Sequence, residues 1–171
     1  MPQHSSGPRL LASVSLALLA AGCLMLSACG WRLQGTSKLP ELMSVTYVDT
    51  DDRYTEFNRA LRERLRASGA RLAANRGEAT ATVRILREES GQRVLSVSAL
   101  NKPEEFEVFY AIEYSVSGRD GELIAPQKLE LTRDYSYDET AVLAKQREQV
   151  ILRDALARDL AGLVLRRLAS L

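Results

Sequence analysis

Residues 105–117 read EFEVFYAIEYSVS, and their parity decides the fold. Phe106, Val108, Tyr110, Ile112, Tyr114 and Val116 hold every even position, while Glu105, Glu107 and Glu113 hold odd ones. Side chains on a strand alternate between faces, so this is a long strand with one face buried and one wet. Asp120-Gly121 follows and predicts a hairpin turn of the primed type. The returning strand runs to Tyr137, with Leu129, Leu131, Tyr135 and Tyr137 on one side and Lys128, Glu130, Thr132 and Asp134 on the other. Pro126 lacks an amide hydrogen and belongs at an edge or a bulge. Arg133 shares the parity of the apolar side, where a buried or half-buried guanidinium needs a carboxylate or carbonyl partner.

Working toward the N-terminus, residues 79–86 (ATATVRIL) alternate in the same way, and after an irregularity at Gly91 an extended pattern resumes from Val94 to Ala99. One long bent or bulged strand accounts for both. Before it, Phe57, Ala60, Leu61, Leu65 and Ser68 recur at helical spacing and stop at Gly69, with Asp52 or Thr55 in place as N-cap. Met43 to Asp49 alternates again, a first strand. Toward the C-terminus, Leu152, Leu156, Leu160, Leu163 or Val164, and Leu168 form one apolar stripe on a helix from about Thr140 to Ser170, with Asp154 and Arg158 spaced for a pair on its wet side. The order β-α-β-β-β-α predicts an α+β sandwich with two helices on one face of a four-stranded, mostly antiparallel sheet.

The 171 residues, 46% hydrophobic and 26% charged, suit a single ordinary domain. With 23 basic against 22 acidic side chains, the chain lacks the net basic character of a protein that neutralises many phosphates along a nucleic acid. Its one His and two Cys are His4, Cys23 and Cys29, all near the N-terminus.

That N-terminus carries an uncharged run from Leu10 to Ala28. By length alone it meets the criterion for a membrane span, so an uncleaved anchor is one reading. The other lies at its end, where Leu26-Ser27-Ala28-Cys29 forms a lipobox, with small residues for the signal peptidase and a thiol to take diacylglyceryl. Ala20-Ala21-Gly22-Cys23 competes less well, having Ala where the lipobox has Leu and lying inside the apolar run. The expected organisation is a signal peptide over 1–28 cut between Ala28 and Cys29, a lipidated Cys29 with a tether over 29–39, and one domain over 40–171. Trp31 fits a headgroup boundary and, equally, a domain core. Loss of Arg9 with the signal leaves 22 side chains of each sign and no His. Triads, Cys nucleophiles and His or Cys metal sites are then excluded together, so neither enzyme chemistry nor a metal or other cofactor is expected. No Gly-x-Ser-x-Gly elbow is present either.

Several words in this order carry a resemblance: Cys29-Gly30-Trp31-Arg32-Leu33-Gln34-Gly35 after the lipobox, Gly118-Arg119-Asp120 at the hairpin, and Thr132-Arg133-Asp134-Tyr135-Ser136-Tyr137-Asp138. Val142-Leu143-Ala144-Lys145-Gln146-Arg147-Glu148-Gln149 and the closing Leu152, Arg153, Leu160 and Arg167-Leu168 complete it. The chain resembles the LptE family of lipopolysaccharide-assembly lipoproteins over nearly all of residues 29–171. The resemblance implies a lipid-anchored domain on the periplasmic side of the outer membrane, lodged as a plug in the LptD β-barrel, helping its assembly and passing lipopolysaccharide to the cell surface. Gly30, rather than Asp, after the lipidated Cys is similar to lipoproteins sent to the outer membrane. The family's lipopolysaccharide-contacting Lys maps onto Lys145. A second basic position has no fixed match, and Lys102 and Arg93 lie near it in sequence.

The residues themselves leave alternatives open. Arg59, Arg62, Arg64, Arg66, Arg71 and Arg76 read either as a phosphate or anionic-barrel contact or as a solvated helix face. Glu105, Glu107 and Glu113 are placed to pair with Arg84 or Arg93 across the sheet. Tyr110, Tyr114, Tyr135 and Tyr137 suit either core packing or partner contacts. A stand-alone, periplasm-facing glycolipid-binding adaptor is the rival to the barrel plug.

Overall fold

In a computed structural model of the chain, residues 38–137 and 139–171 are described, all within the second of two units into which the chain divides after Gly35. The expected signal peptide, its expected Ala28/Cys29 cleavage site, Trp31 and the expected tether up to residue 37 lie outside the described residues. The elements are β1 (Val45–Asp49), α1 (Glu56–Ala67), β2 (Arg71–Leu72), β3 (Ala81–Val97), β4 (Pro103–Gly118), β5 (Glu122–Ser136) and α2 (Val142–Leu168). The sheet has the order β2-β1-β3-β4-β5. It is an α+β sandwich, with one strand more than the expected four. β2 is two residues long, too short to show a period, and exists because Arg71 and Leu72 pair with Val45 and Thr46. Both neighbours of β1 are parallel to it, whereas β3, β4 and β5 form an antiparallel meander, so the sheet is mixed.

Local chemistry sets the boundaries. Thr55 is the N-cap of α1, its hydroxyl accepting from the Asn58 amide at 3.2 Å. Gly69 ends the helix at φ 92°: its amide reaches the Arg66 carbonyl and the Ala70 amide the Leu65 carbonyl, both at 3.0 Å. That is a Schellman stop, with buried Ala70 and Leu65 supplying its apolar contact. β3 runs unbroken through Gly91, where the sequence suggested an irregularity. Its register shifts fall at Ile85/Arg87 and around Val94 to Val97 instead. Gly91 answers to close approach, because a Cβ there would lie 2.9 Å from the Phe109 ring on the facing strand. Pro126 sits on edge strand β5 beside a register shift, as its missing donor requires. The hairpin differs from expectation. Positive φ occurs at Gly121 but not at Arg119 or Asp120, so the turn is not of the primed type.

α1 and α2 lie on one face and run in the same direction, since Arg158 bonds Glu56 at 3.1 Å while Arg64 lies against Gly162. Arg158 thus turns to the other helix rather than to Asp154. Met43, Val48, Phe57, Leu61, Leu65, Val83, Val108, Ile112, Tyr114, Leu156, Leu160, Val164 and Leu168 form the core. The even-numbered β4 residues face it, as their parity predicts. The opposite face of the sheet has no covering layer among the described residues.

Candidate functional site

The core occupies only part of the sandwich. α1 begins beside Glu88, midway along β3, because Thr55 donates to the Glu88 carboxylate at 3.2 Å. Beyond that level β3, β4 and β5 continue for several residues, covered on the helix face only by the N-terminal half of α2. This far end holds an aromatic shelf: Phe106 stacks on Tyr135 at 5.8 Å and meets Tyr137 edge-on at 5.3 Å. The Tyr135 hydroxyl donates to Gln92 at 2.9 Å. Lys145 places its ammonium 5.9 Å from the Tyr135 ring and 2.9 Å from Glu148, with its side chain only 20% exposed. Burial, then the Glu148 charge, push the Tyr135 phenol upward, and Lys145 opposes them.

Around this shelf large apolar residues stand in water. Leu143 is 74% and Ile151 64% exposed on α2, and Leu100 is 81% exposed in the β3–β4 connection, beside half-exposed Val94, Leu95 and Val97. The apolar stripe read from sequence covers the C-terminal half of α2, where α1 packs against it. Leu143, Val150 and Ile151 lie off that stripe, and that departure was the available signal for a second, uncovered face. An isolated exposed leucine is ordinary; this concentration at one end marks a contact surface.

The basic candidates separate. Lys145 lies on the helix face and Lys102 in the exposed β3–β4 connection, where the Ser98 amide donates to the Lys102 carbonyl at 2.8 Å and Asn101 takes φ 58°. Arg93 is on the other side of the sheet, bonded at 2.8 Å to both Glu107 and Glu130 and lying 4.6 Å over the Phe109 ring. The three do not converge on one cavity. Cys29, the lipidation candidate, lies outside the described residues.

The bare face is laced with charge. Besides the Arg93 pairs, Lys128 meets Glu130 at 2.8 Å and Arg84 meets Asp49 at 3.0 Å. Lys128, with Arg93, holds the Glu130 carboxyl below its ordinary range. Glu105 pairs with Ser96 at 2.8 Å rather than with an arginine. Arg133 finds its carboxylate in Asp159 of α2 at 3.1 Å, but both side chains are about half exposed, so no buried charge is involved. Of the Tyr set, Tyr110 and Tyr114 are core residues, while Tyr137 is only partly covered at the far end.

A cleft of about 310 Å³ opens where α1 begins, lined by Asp51, Asp52, Thr55, Glu88, Glu89 and Tyr110 among others. Tyr110 donates to Glu88 there, and burial raises the Glu88 carboxyl above its ordinary 4.5. The Thr55 contact fastens α1 to β3 and the Tyr110 contact ties β4 to β3, both structural tasks. No group of three or more His, Cys, Asp or Glu among the described residues is placed to hold a metal, and no described helix is long and apolar enough to cross a membrane.

Fold and surface together define a class: a two-layer α+β domain with an aromatic, apolar-rimmed end and a bare, charge-paired sheet face. The sequence profile of the LptE lipopolysaccharide-assembly family matches residues 42–168, and the chain belongs to that family. It is 27% identical over 156 residues to the LPS-assembly lipoprotein LptE of Pectobacterium atrosepticum, covering 90% of this chain and 84% of that one. The Yersinia enterocolitica protein of the same name is 24% identical, with 91% and 75% covered. Among solved structures, rare lipoprotein B from Shewanella oneidensis superposes with TM-score 0.66 at 28% identity over 74% of this chain and 94% of that one. Lipoprotein B from Nitrosomonas europaea, at 24% identity, shares the fold with TM-score 0.69 over 82% and 91%. This chain is accordingly a lipoprotein-family protein of lipopolysaccharide assembly.

Proposed function

We propose that the protein is acylated at Cys29, held on the periplasmic side of the outer membrane, and works without catalysis as the plug and assembly partner of the LptD barrel during lipopolysaccharide delivery. The bare sheet face carries this reading. A sheet open on one side must face either water or a partner, and here it presents internally paired charges, with Arg93 lying over the Phe109 ring. Such a surface suits a polar barrel lumen, because its charges are already compensated before they meet the wall. Lys145 on the aromatic shelf and Lys102 in the nearby connection are the lipopolysaccharide contacts of the proposal, placed where exposed apolar side chains stand beside basic ones. Arg93, already bonded to two carboxylates, is the third candidate and the weakest donor for a phosphate.

Detergent extraction of the lipidated chain tests the plug. It should co-purify with a large β-barrel, and a chain recovered alone would overturn that role. Were the isolated protein to retain lipopolysaccharide without any barrel, with Lys145→Glu abolishing retention, the adaptor reading would replace it. The intact mass of the mature protein should show an acylated Cys29; an unacylated chain retaining Met1 would refute the processing.

A further inference from the structure

β5 closes the sheet on the side opposite β2, and its outer edge carries main-chain groups that the fold leaves unused. From Glu105 against Ser136 to Tyr114 against Gln127, β4 and β5 keep one unbroken register. The Tyr137 amide donates to the Glu104 carbonyl at 2.8 Å, so the next pair along that register is a hydrogen-bonded one. Such pairs alternate along an antiparallel ladder, and the odd residues from Leu129 to Tyr135 therefore turn their amides and carbonyls to β4. Those of Lys128, Glu130, Thr132, Asp134 and Ser136 turn the other way, off the sheet. All five residues are exposed, and no other described element bonds to their main chain. The row is roughly 27 Å long at strand spacing, whereas the opposite edge strand, β2, has two residues.

α2 stands beside this row on the helix face, tied to it by Arg133 and Asp159 at 3.1 Å, both about half exposed. Here lies a notch of about 390 Å³, lined by Leu131, Thr132, Arg133, Asp134, Leu156 and Asp159. Successive strand residues point to opposite faces, so a cavity touching all four from Leu131 to Asp134 wraps the edge itself. Leu131 and Leu156 make part of its lining apolar. On the bare face Glu130 is held by Arg93 and Lys128, while Asp134 has no ion-pair partner among the described residues.

We propose that β5 accepts an added strand. An extended segment of a partner polypeptide pairs with the outward groups of Glu130, Thr132 and Asp134, directing an apolar side chain into the notch opposite Arg133 and, at the adjacent position on the other face, a basic one beside Asp134. A row of main-chain donors and acceptors at strand spacing matches an extended backbone, and a pocket beside the row selects its side chains. The inference rests on the plug reading above and names part of its interface: the segment belongs to the enclosing barrel. Strands in a barrel wall spend both edges on each other, so the segment is a loop of the barrel folded into the lumen. β5 also borders the bare face, and an added strand extends the same surface that the plug reading sets against the wall.

The test measures amide hydrogen exchange, residue by residue, in the lipidated chain purified with its barrel and in the same chain alone. The barrel should slow the Glu130, Thr132 and Asp134 amides by about tenfold or more, while Leu131 and Arg133, already bonded to β4, change far less. That alternation is the mark of strand addition, since burial against a wall slows neighbours of both parities alike. Thr132→Pro removes one outward donor and no bond to β4. It should lower the barrel recovered with the chain by about threefold or more, as a lost main-chain bond requires, and Asp134→Lys should lower it too. Thermal unfolding of the free variants establishes that each still folds, and exchange in the parent chain decides the matter where one does not. Unchanged exchange at the three amides in a chain that holds its barrel, or recovery indifferent to both folded variants, would overturn strand addition and leave the plug standing. Cross-links from a photoreactive residue in place of Thr132 that map to a wall strand rather than a loop would overturn it as well. Slow exchange at those amides in the chain alone, together with a doubled mass, would assign the edge to a second copy instead. A chain that recovers no barrel refutes the plug reading and this inference with it.

Discussion

Thr55 joins two elements with one hydroxyl, which accepts from the Asn58 amide and donates to Glu88 across the α1–β3 seam. Thr55→Ala should cost about 1–2 kcal/mol in urea unfolding, near the top of the range for a lost cap because the cross-element bond goes as well. Glu88 has the opposite sign at neutral pH. Burial raises its folded-state carboxyl above 4.5, so the folded chain binds the proton more tightly and its stability falls as pH rises from 4.5 through the raised value. Glu88→Gln keeps a hydrogen-bonding group between Thr55 and Tyr110 without that charge. Its stability relative to the parent should rise between pH 4.5 and pH 7; a difference independent of pH would refute this account. Two glycines also separate by their surroundings. A Cβ at Gly91 meets the Phe109 ring at 2.9 Å, so Gly91→Ala should destabilise by about 1–3 kcal/mol. At Gly162 the contacts begin at an ordinary 3.5 Å in a helix interior, and Gly162→Ala should stabilise by about 0.5–1 kcal/mol. Thermal unfolding of the pair checks both signs.

At the scale of elements, α2 is one helix with two surroundings. Leu160 is fully buried between α1 and the sheet, so Leu160→Ala should cost about 2–5 kcal/mol, whereas Leu143→Ala, at a 74% exposed site, should stay within about 0.5 kcal/mol. Equal costs in equilibrium unfolding would mean the N-terminal half packs as tightly as the C-terminal half. The strands that were legible in the sequence are those with long alternation. Thirteen residues of β4 repeat one rule, and a register error of one would have turned Tyr114 and Ile112 outward. β2 was illegible because two residues have no period and its pairing is set by β1, across α1. The turn at Asp120-Gly121 misled because the dipeptide signals a hairpin correctly without fixing which residue takes positive φ. Lys145 could be placed on a helix but not above Tyr135, since nothing local in sequence aligns α2 with β5. The Arg133–Asp159 pair was hidden for the same reason: it spans the same two elements.

Seen whole, the domain carries nearly balanced charge but is unevenly composed, with arginines at one end, apolar residues at the other and paired charge across the bare sheet face. The length of α2 alone, 27 residues at 1.5 Å each, separates the ends by roughly 40 Å. The ion pairs on the bare face are solvent-exposed, so they contribute little to stability and little is lost when salt screens them. Stability in unfolding experiments should therefore change little between low and moderate ionic strength.

The placement of α2 bears on how the protein is made. A chain that emerges N-terminus first brings out β1 before β3, its principal neighbour, and leaves the sheet's helix face without Leu156, Leu160, Val164 and Leu168 until α2 has emerged. The core cannot close without the C-terminal half of α2. Chains cut short before Leu156 should be rapidly degraded by added protease in a limited-proteolysis assay, so that length itself becomes the criterion by which finished molecules are told from fragments.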